Sequence, residues 1–337
     1  MKKITSVIFV LFMFAESYGQ DLNYSQFYEM PLLRNPALAG LFNCNIRVGG
    51  SHRSQWSSVT VPYQTSVMDV QYKFSVLEKD KVTIGLQTTV DMAGDVKLKR
   101  TQLLPVVAYH LALGGKNSNP LTIAFMAGPV YSQFDQSLAK LDDQFVNGAY
   151  SPNNTSAQSY KNTGYSYFDI STGLSYRTSF GDGGLWYAGL AMFHANRPRL
   201  SFISDKSDNY IATKWVANGG VSLPTSDYNR FIGFADISVQ GGNRQFIGGG
   251  MYETDVSQYD ADDNTSFAFG AFYRWFDALI PVVRLTHHQW QIGLSYDANV
   301  SKLTSASGGK GGFEITASFQ GCLNIRNADL QQTKCKF

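Results

Sequence analysis

The sequence predicts an all-β fold, an antiparallel transmembrane β-barrel of the outer-membrane type with about 14 strands. Two observations carry this prediction. From residue 45 onward, apolar and polar residues alternate along the chain, which is typical of strands with one apolar and one polar face. The polar positions hold mainly Gly, Ser, Thr and Gln, as expected for a face that lines a barrel lumen. A soluble sandwich would usually carry more charge on its exposed face.

The strands follow one another along the whole chain. Alternation is clearest at 68–75, 82–91, 168–177, 267–275, 290–297 and 313–319. Weaker strand patterns occur at 45–56, 99–113, 120–133, 184–194, 212–224, 231–240, 244–255 and 279–286. Pro281 lies within the last of these, although proline is tolerated mainly at strand ends and edges. Most of these segments are long enough for tilted membrane strands.

Connection lengths predict how the barrel is oriented. The long connections, 134–164 and 195–211, are odd-numbered, whereas the short turns near 77–80, 181–184 and 225–230 are even-numbered. Outer-membrane barrels have long external loops and short periplasmic turns, so strand one should begin in the periplasm. Aromatic residues near strand ends fit interfacial girdles. They are Trp56, Trp186, Tyr210, Trp275 and Trp290.

The N-terminus has the pattern of a Sec signal peptide. Lys2 and Lys3 precede an apolar stretch, and a small-x-small site ends at Gly19. We therefore expect cleavage after about Gly19 and export to the outer membrane. The expected organisation is a signal peptide (1–19), a periplasmic or lumenal lead-in segment (20–43), the barrel (44–323) and a periplasmic tail (324–337). The lead-in could plug the lumen, contact a periplasmic partner, or only close the barrel floor.

Composition excludes several other classes. The net charge is +2 and no basic block stands out, so we expect no nucleic-acid partner. The longest apolar run, from Val7 to Ala15, is too short for a transmembrane helix. His287 and His288 are adjacent, so a strand would point them to opposite faces, although a tight turn could bring them together. No catalytic, metal or cofactor motif is present, and we predict neither an enzyme nor a cofactor.

Mixed charges mark the predicted lumen face. Alternation places there Asp69, Lys73, Asp91, Asp169, Arg177, Arg274, Asp297 and Glu314. Both signs together favour internal salt-bridge networks over a charge-selective ring, and so a plugged or narrow lumen. The three cysteines outside the signal peptide allow one bridge among Cys44, Cys322 and Cys335. A closed barrel would pair its first and last strands, which brings Cys44 and Cys322 to the same rim.

Several motifs resemble a known family. YSQFY at 24–28 leads to NPALAG at 35–40, followed by RSQW at 53–56 and YQTS at 63–66. Weaker matches are YHL at 109–111, YAGL at 187–190 and GLSYD at 293–297. The sequence resembles the PorP/SprF family of the type IX secretion system. The chain ends Cys335-Lys336-Phe337, a shortened form of the family's Cys-Pro-x-Phe tail.

The resemblance implies an outer-membrane barrel without enzymatic activity that serves protein secretion and, in some bacteria, gliding motility. It implies a secreted adhesin (or its C-terminal domain) or periplasmic type IX components as partners, with outer-membrane lipid around the barrel. Its motifs supply the candidate partner-binding or structural residues. These are Tyr24, Gln26, Phe27, Asn35, Pro36, Gly40, Arg53, Gln55 and Trp56. Trp56 could instead anchor the girdle, and a general porin or solute channel is the alternative function.

Overall fold

The alternating sequence folds into one closed antiparallel barrel, seen here in a computed structural model. The structure describes residues 21–56, 61–77, 79–114, 119–151, 153–154, 156–158, 162–200, 209–256, 264–301, 304 and 308–322. The predicted signal peptide and C-terminal tail lie outside these ranges, as does Cys335. Among the described residues, no helix is long and apolar enough to cross a membrane.

Fourteen strands of the described chain form the barrel wall, and the predicted fold is confirmed. They are β1 (Ile46–Gln55), β2 (Tyr63–Ser75), β3 (Lys81–Ala93), β4 (Leu98–Leu113), β5 (Asn119–Gln133), β8 (Gly164–Phe180), β9 (Gly184–Phe193), β10 (Lys214–Pro224), β11 (Asn229–Gln240), β12 (Asn243–Asp255), β13 (Thr265–Arg274), β14 (Ala278–His287), β15 (Trp290–Asn299) and β16 (Lys310–Gly321). A small hairpin, β6 (Phe145–Val146) and β7 (Ala149–Tyr150), lies between β5 and β8. Short helical turns at Phe27–Glu29, Pro31–Arg34 and Pro36–Leu38 precede β1.

Pairing of the first and last strands closes the barrel. β1 pairs with β16 from Ile46↔Gly321 to Gln55↔Gly312. Just beyond this ladder, Cys44 and Cys322 form a disulfide with their Cα atoms 4.8 Å apart. The disulfide therefore links the first and last strands covalently at the rim where β1 begins and β16 ends. Pro281 lies inside β14, and the pairing of β14 with β15 is interrupted there because proline has no N–H to donate.

The barrel has two rims with different connections. We call the rim where β1 begins and β16 ends the termini rim, and the opposite one the loop rim. The short turns at 76–80, 181–183 and 225–228 lie at the termini rim. The long connections 134–163 and 194–213 lie at the loop rim. This distribution agrees with the predicted alternation of long loops and short turns, with the exception of the connection 256–264, which is longer than the other turns named at the termini rim.

The two faces of each strand have opposite environments. On β5, Ala124 and Met126 are buried inside the barrel, while Phe125 between them is 60% exposed on the outside. The same alternation puts a continuous apolar surface around the barrel, as lipid contact requires. Unlike a sandwich, the barrel leaves this surface uncovered by protein in the described chain. The apolar face is therefore the lipid-facing one.

If the apolar face contacts lipid, the loss of stability caused by a charged substitution should depend on the depth of that residue in the bilayer. Phe125→Arg, near the middle of β5, should lower the free energy of unfolding by about 2–4 kcal/mol. Tyr131→Arg, on the same face near the loop rim, should cost only about 0–1 kcal/mol. Urea unfolding of the barrel in lipid vesicles measures both. Equal costs at the two positions would contradict a bilayer around this face.

Candidate functional site in the barrel lumen

Residues 21–43 cross the barrel lumen, and we call this segment the plug. Asp21 lies near the loop rim, where its backbone N–H donates to Gln240 at the end of β11. The plug then descends through its helical turns to Cys44 at the termini rim. Most plug side chains, including Phe27, Leu32 and Ala37, are buried. The lead-in segment thus fills the lumen of the barrel.

One buried ion pair joins the middle of the plug to the wall. The Arg34 guanidinium donates from Nε to Asp236 Oδ2 at 2.8 Å and from Nη2 to Asp236 Oδ1 at 2.5 Å. Its Nη1 donates to the Tyr187 hydroxyl at 2.7 Å. The planar fork of arginine matches a carboxylate in this two-bond arrangement. Neither charged group has much access to water, so each depends on the other for neutralisation.

A second cluster holds the part of the plug that lies nearer the loop rim. The backbone N–H groups of Ser25 and Gln26 donate to the two carboxylate oxygens of Glu314, each at 2.9 Å. The Ser25 hydroxyl donates to Asp297 Oδ1 at 2.5 Å. Asp297 in turn accepts from Arg53 at 2.7 Å and from Arg274 at 3.1 Å. Backbone and side chains of the plug therefore complete a wall network built from β1, β13, β15 and β16.

A third cluster lies closer to the termini rim. Glu29 of the plug accepts from Gln291 Nε2 at 2.6 Å and lies 3.5 Å from Arg284. Arg47 donates to the Glu29 backbone carbonyl at 2.6 Å while its Nη1 lies 2.6 Å from both oxygens of Asp69. Arg284 also pairs with a second acid, Glu253, at 2.7 Å. These contacts tie the plug to β1, β2, β14 and β15.

The start of the plug meets a cationic group at the loop rim. The Asp21 carboxylate lies 3.3 Å from Arg100, 3.5 Å from His194 and 3.6 Å from Lys214. His194 also contacts Asp169 of the wall at 2.9 Å. The plug is therefore held by charged or hydrogen-bonded contacts at both rims and at mid-depth.

The Asn-Pro sequence seats the plug against the wall. The Asn35 side chain accepts from the Ala37 N–H at 2.8 Å and donates to the Leu174 carbonyl of β8 at 3.1 Å. The approach is so close that a Cβ on Gly173 would lie 1.9 Å from Asn35 Oδ1. Gly40 follows with a φ of 75°, a left-handed conformation that favours glycine. Gly173 of the wall thus leaves room for the plug, and Gly40 allows the left-handed turn within the plug.

The structure separates the nine candidate residues into two groups. Seven are buried and hold the plug or its wall contacts, and these are Tyr24, Gln26, Phe27, Asn35, Pro36, Gly40 and Arg53. Gln55 and Trp56 are half-buried at the loop rim, where the Trp56 ring lies 5.0 Å from that of Tyr63. Gln55 and Trp56 lie near the surface of the loop rim, whereas Gly40 of the first group lies beside a cavity at the termini rim.

Internal salt bridges of mixed sign are present, in line with the lumen face that alternation predicts. Asp69, Asp169, Arg274, Asp297 and Glu314 are all buried there. Other members of the network were not singled out by the sequence: Ser25, Glu29, Arg34, Arg47, Asp236 and Arg284. Alternation could have identified the charged wall residues. Arg47, for example, lies six positions before Arg53 on β1, and therefore on the same face of the strand.

No group of three or more potential metal ligands occurs among the residues that the structure describes. His287 and His288 lie at the β14–β15 turn with their rings 4.3 Å apart. The His287 ring contacts Thr265 Oγ1 at 2.8 Å. Two adjacent histidines at an exposed turn do not make a metal site by themselves.

Comparison with known proteins gives a family. The model of the family described as "Type IX secretion system membrane protein PorP/SprF" matches residues 16–319. That description is of a membrane protein family and not of an enzyme family. No curated protein sequence matches the chain.

Solved structures also resemble this chain at low identity. The translocator domain of the autotransporter NalP from Neisseria meningitidis is 10% identical, with 88% of this chain and 99% of that chain covered and a TM-score of 0.44. The CymD monoaromatic hydrocarbon channel is 9% identical, with 88% and 93% covered and a TM-score of 0.48.

The Arg34–Asp236 pair predicts a strong coupling between plug and wall. Arg34→Ala should lower the free energy of unfolding by about 3–5 kcal/mol, because it leaves the Asp236 carboxylate buried and unpaired. Arg34→Met combined with Asp236→Leu should cost much less, since no lone charge remains. Urea unfolding of Arg34→Met, of Asp236→Leu and of the double variant measures the coupling. Additive costs would contradict a direct pair.

Proposed function

The chain belongs to the PorP/SprF family of type IX secretion system membrane proteins, and we propose that it binds a secreted adhesin, or periplasmic components of that system, for export or surface anchoring. The plugged lumen is the observation that carries this proposal. A segment held by ion pairs at three depths supports a docking role over free diffusion of solutes. The barrel itself is consistent with the outer membrane.

The orientation of the barrel decides which surface meets which partner. We propose that the termini rim faces the periplasm, because the two longest connections, 134–163 and 194–213, lie at the other rim. The loop rim then faces the cell exterior and is the surface for a secreted adhesin. Periplasmic components would meet the termini rim.

The β6–β7 hairpin supports a contact surface at the loop rim. It lies within the longest connection, and Phe145 and Val146 are 45% and 48% exposed. The Phe145 and Tyr150 rings contact each other with their centroids 5.9 Å apart. Exposed aromatic residues on a long loop are typical of protein contact surfaces. Gln55 and Trp56 lie at the same rim, so we propose them as nearby contacts.

The buried candidate residues contribute indirectly in this proposal. Gln26, Asn35 and Arg53 bond only within the barrel, so they position the plug and do not reach a partner. Their substitution should affect secretion through the folded state of the barrel. A change at the hairpin should leave that state intact.

Cargo recovery from native membranes tests the proposal. Phe145→Ser combined with Val146→Ser and Tyr150→Ser should reduce co-purified adhesin about tenfold, because it removes the exposed aromatic contact. Tyr228→Ser, at an exposed turn of the termini rim, is the matched control and should retain the cargo.

Deletion of the whole chain should abolish surface display of the cargo. Two results would contradict the proposal: recovery of the intact barrel without any secretion partner, and deletion that impairs only solute uptake. Those results would favour the porin alternative.

A further inference from the structure

A cavity of about 240 Å³ opens at the termini rim beside the end of the plug. The plug residues from Gly40 to Asn43 form one side of it. The ends of β2, β3, β4, β5 and β8 and the β2–β3 turn form the rest. At about 30 Å³ per water molecule, the space equals about eight waters. It is therefore large enough for a charged side chain.

Basic residues predominate around this cavity. Four cations line it: Lys73, Lys79, Lys81 and Arg177. No carboxylate occurs among its described lining residues. Asp80 stands in the turn between two of these lysines, but its carboxylate accepts from the Tyr109 hydroxyl at 2.5 Å and from the Ala112 N–H at 3.0 Å. These bonds hold the pKa of the Asp80 carboxyl below its usual value, so Asp80 places one negative charge beside the lysines and the group as a whole keeps a positive net charge.

His110 does not offset this charge. Its two ring nitrogens contact Thr83 Oγ1 and Thr122 Oγ1, each at 2.8 Å. Lys73 donates from Nζ to the backbone carbonyls of Gly40 and Phe42, so it fixes the end of the plug. Lys73 thus serves to hold the plug, and the charges that remain around the cavity for an anion are those of Lys79, Lys81 and Arg177.

Arg177 differs from the other arginines of the lumen. Six of them pair with a carboxylate: Arg34, Arg47, Arg53, Arg100, Arg274 and Arg284. Arg177 is half-buried, and it makes no hydrogen bond or ion pair with any residue that the structure describes. A guanidinium withdrawn from water without a partner is costly, so an anion that binds here gains a preformed, unused donor.

The same residue joins this cavity to a second one. Arg177 also lines a space of about 360 Å³, together with Arg230, Leu41, Phe42 and Asn43. Arg230 is exposed and bonds to the Ser222 hydroxyl at 3.1 Å. The two spaces share four lining residues at the mouth of the lumen. Glu29 also lines the larger space, where it lies 3.5 Å from Arg284, and the cations there without a carboxylate partner among the described residues are Arg177 and Arg230. A single small anion would engage only part of this surface.

We propose that this cationic mouth binds an acidic peptide segment, whose carboxylate side chains pair with Arg177, Lys81 and their neighbours. Leu41 and Phe42 offer apolar contact between the charged positions. The inference rests on the proposed function for the source of the segment, a secretion partner that reaches the termini rim. It adds that the partner is recognised through ion pairs between its carboxylates and the cations of the barrel.

Binding of a labelled glutamate hexapeptide to the full-length barrel in detergent tests the proposal. Fluorescence anisotropy should show saturable binding that weakens as salt increases, because exposed charges are screened. A glutamine hexapeptide should not bind. Arg177→Gln combined with Lys81→Gln should weaken binding about tenfold or more. Lys310→Gln, which removes an exposed cation at the loop rim, is the matched control and should bind normally.

Several outcomes would overturn the assignment. One is equal binding of the glutamine peptide, and another is unchanged affinity in the Arg177/Lys81 double variant with its barrel fold verified by circular dichroism. Inorganic phosphate or free glutamate that binds as tightly as the hexapeptide would assign the mouth to a small anion and not to a peptide.

The experiment separates this inference from the proposed function. A barrel that fails to bind the acidic peptide but still supports cargo display removes the inference and leaves the function. A barrel that binds the peptide, in a strain where deletion does not affect secretion, removes the function and leaves the binding site.

Discussion

Charge pairing between the plug and the barrel wall is the interaction on which the structure depends. The lumen holds many charged side chains away from water, where an isolated charge is costly. Arg34 and Asp236 neutralise each other across 202 positions of sequence, and Glu314 is satisfied by backbone N–H groups of the plug. The plug therefore keeps water out of the lumen and supplies the partners that these wall charges would otherwise find in water, and the wall does the same for the charges of the plug.

This mutual dependence connects the fold to its role. The outer face is apolar because it meets lipid, so the polar chemistry of the protein is confined to the lumen and the two rims. With the lumen filled, the rims are the surfaces left for binding. The loop rim presents aromatic residues such as Phe145 and Tyr150, and the termini rim presents unpaired cations such as Arg177. The two rims thus offer different chemistry to partners on opposite sides of the membrane.

The sequence was sufficient for the barrel because alternation reports directly which side of a strand each residue faces. Alternation predicted the strand at 279–286 that contains Pro281 and put Asp297 and Glu314 in the lumen, and both predictions are confirmed. Alternation could not predict the contact between Arg34 and Asp236. That contact depends on the path of the plug and on strand register, and alternation shows only which face of a strand a residue occupies. The plug also lacks alternation, so the depth reached by Asp21 was not predictable.

Planar-bilayer conductance of the purified protein tests the central claim most directly. The account predicts that the intact barrel shows no large, stable conductance, and that deletion of residues 22–42 produces discrete open-channel steps. Arg34→Ala should give brief openings, because it removes one of several attachments. A large stable channel in the intact protein, or unchanged conductance after deletion of the plug, would contradict the account.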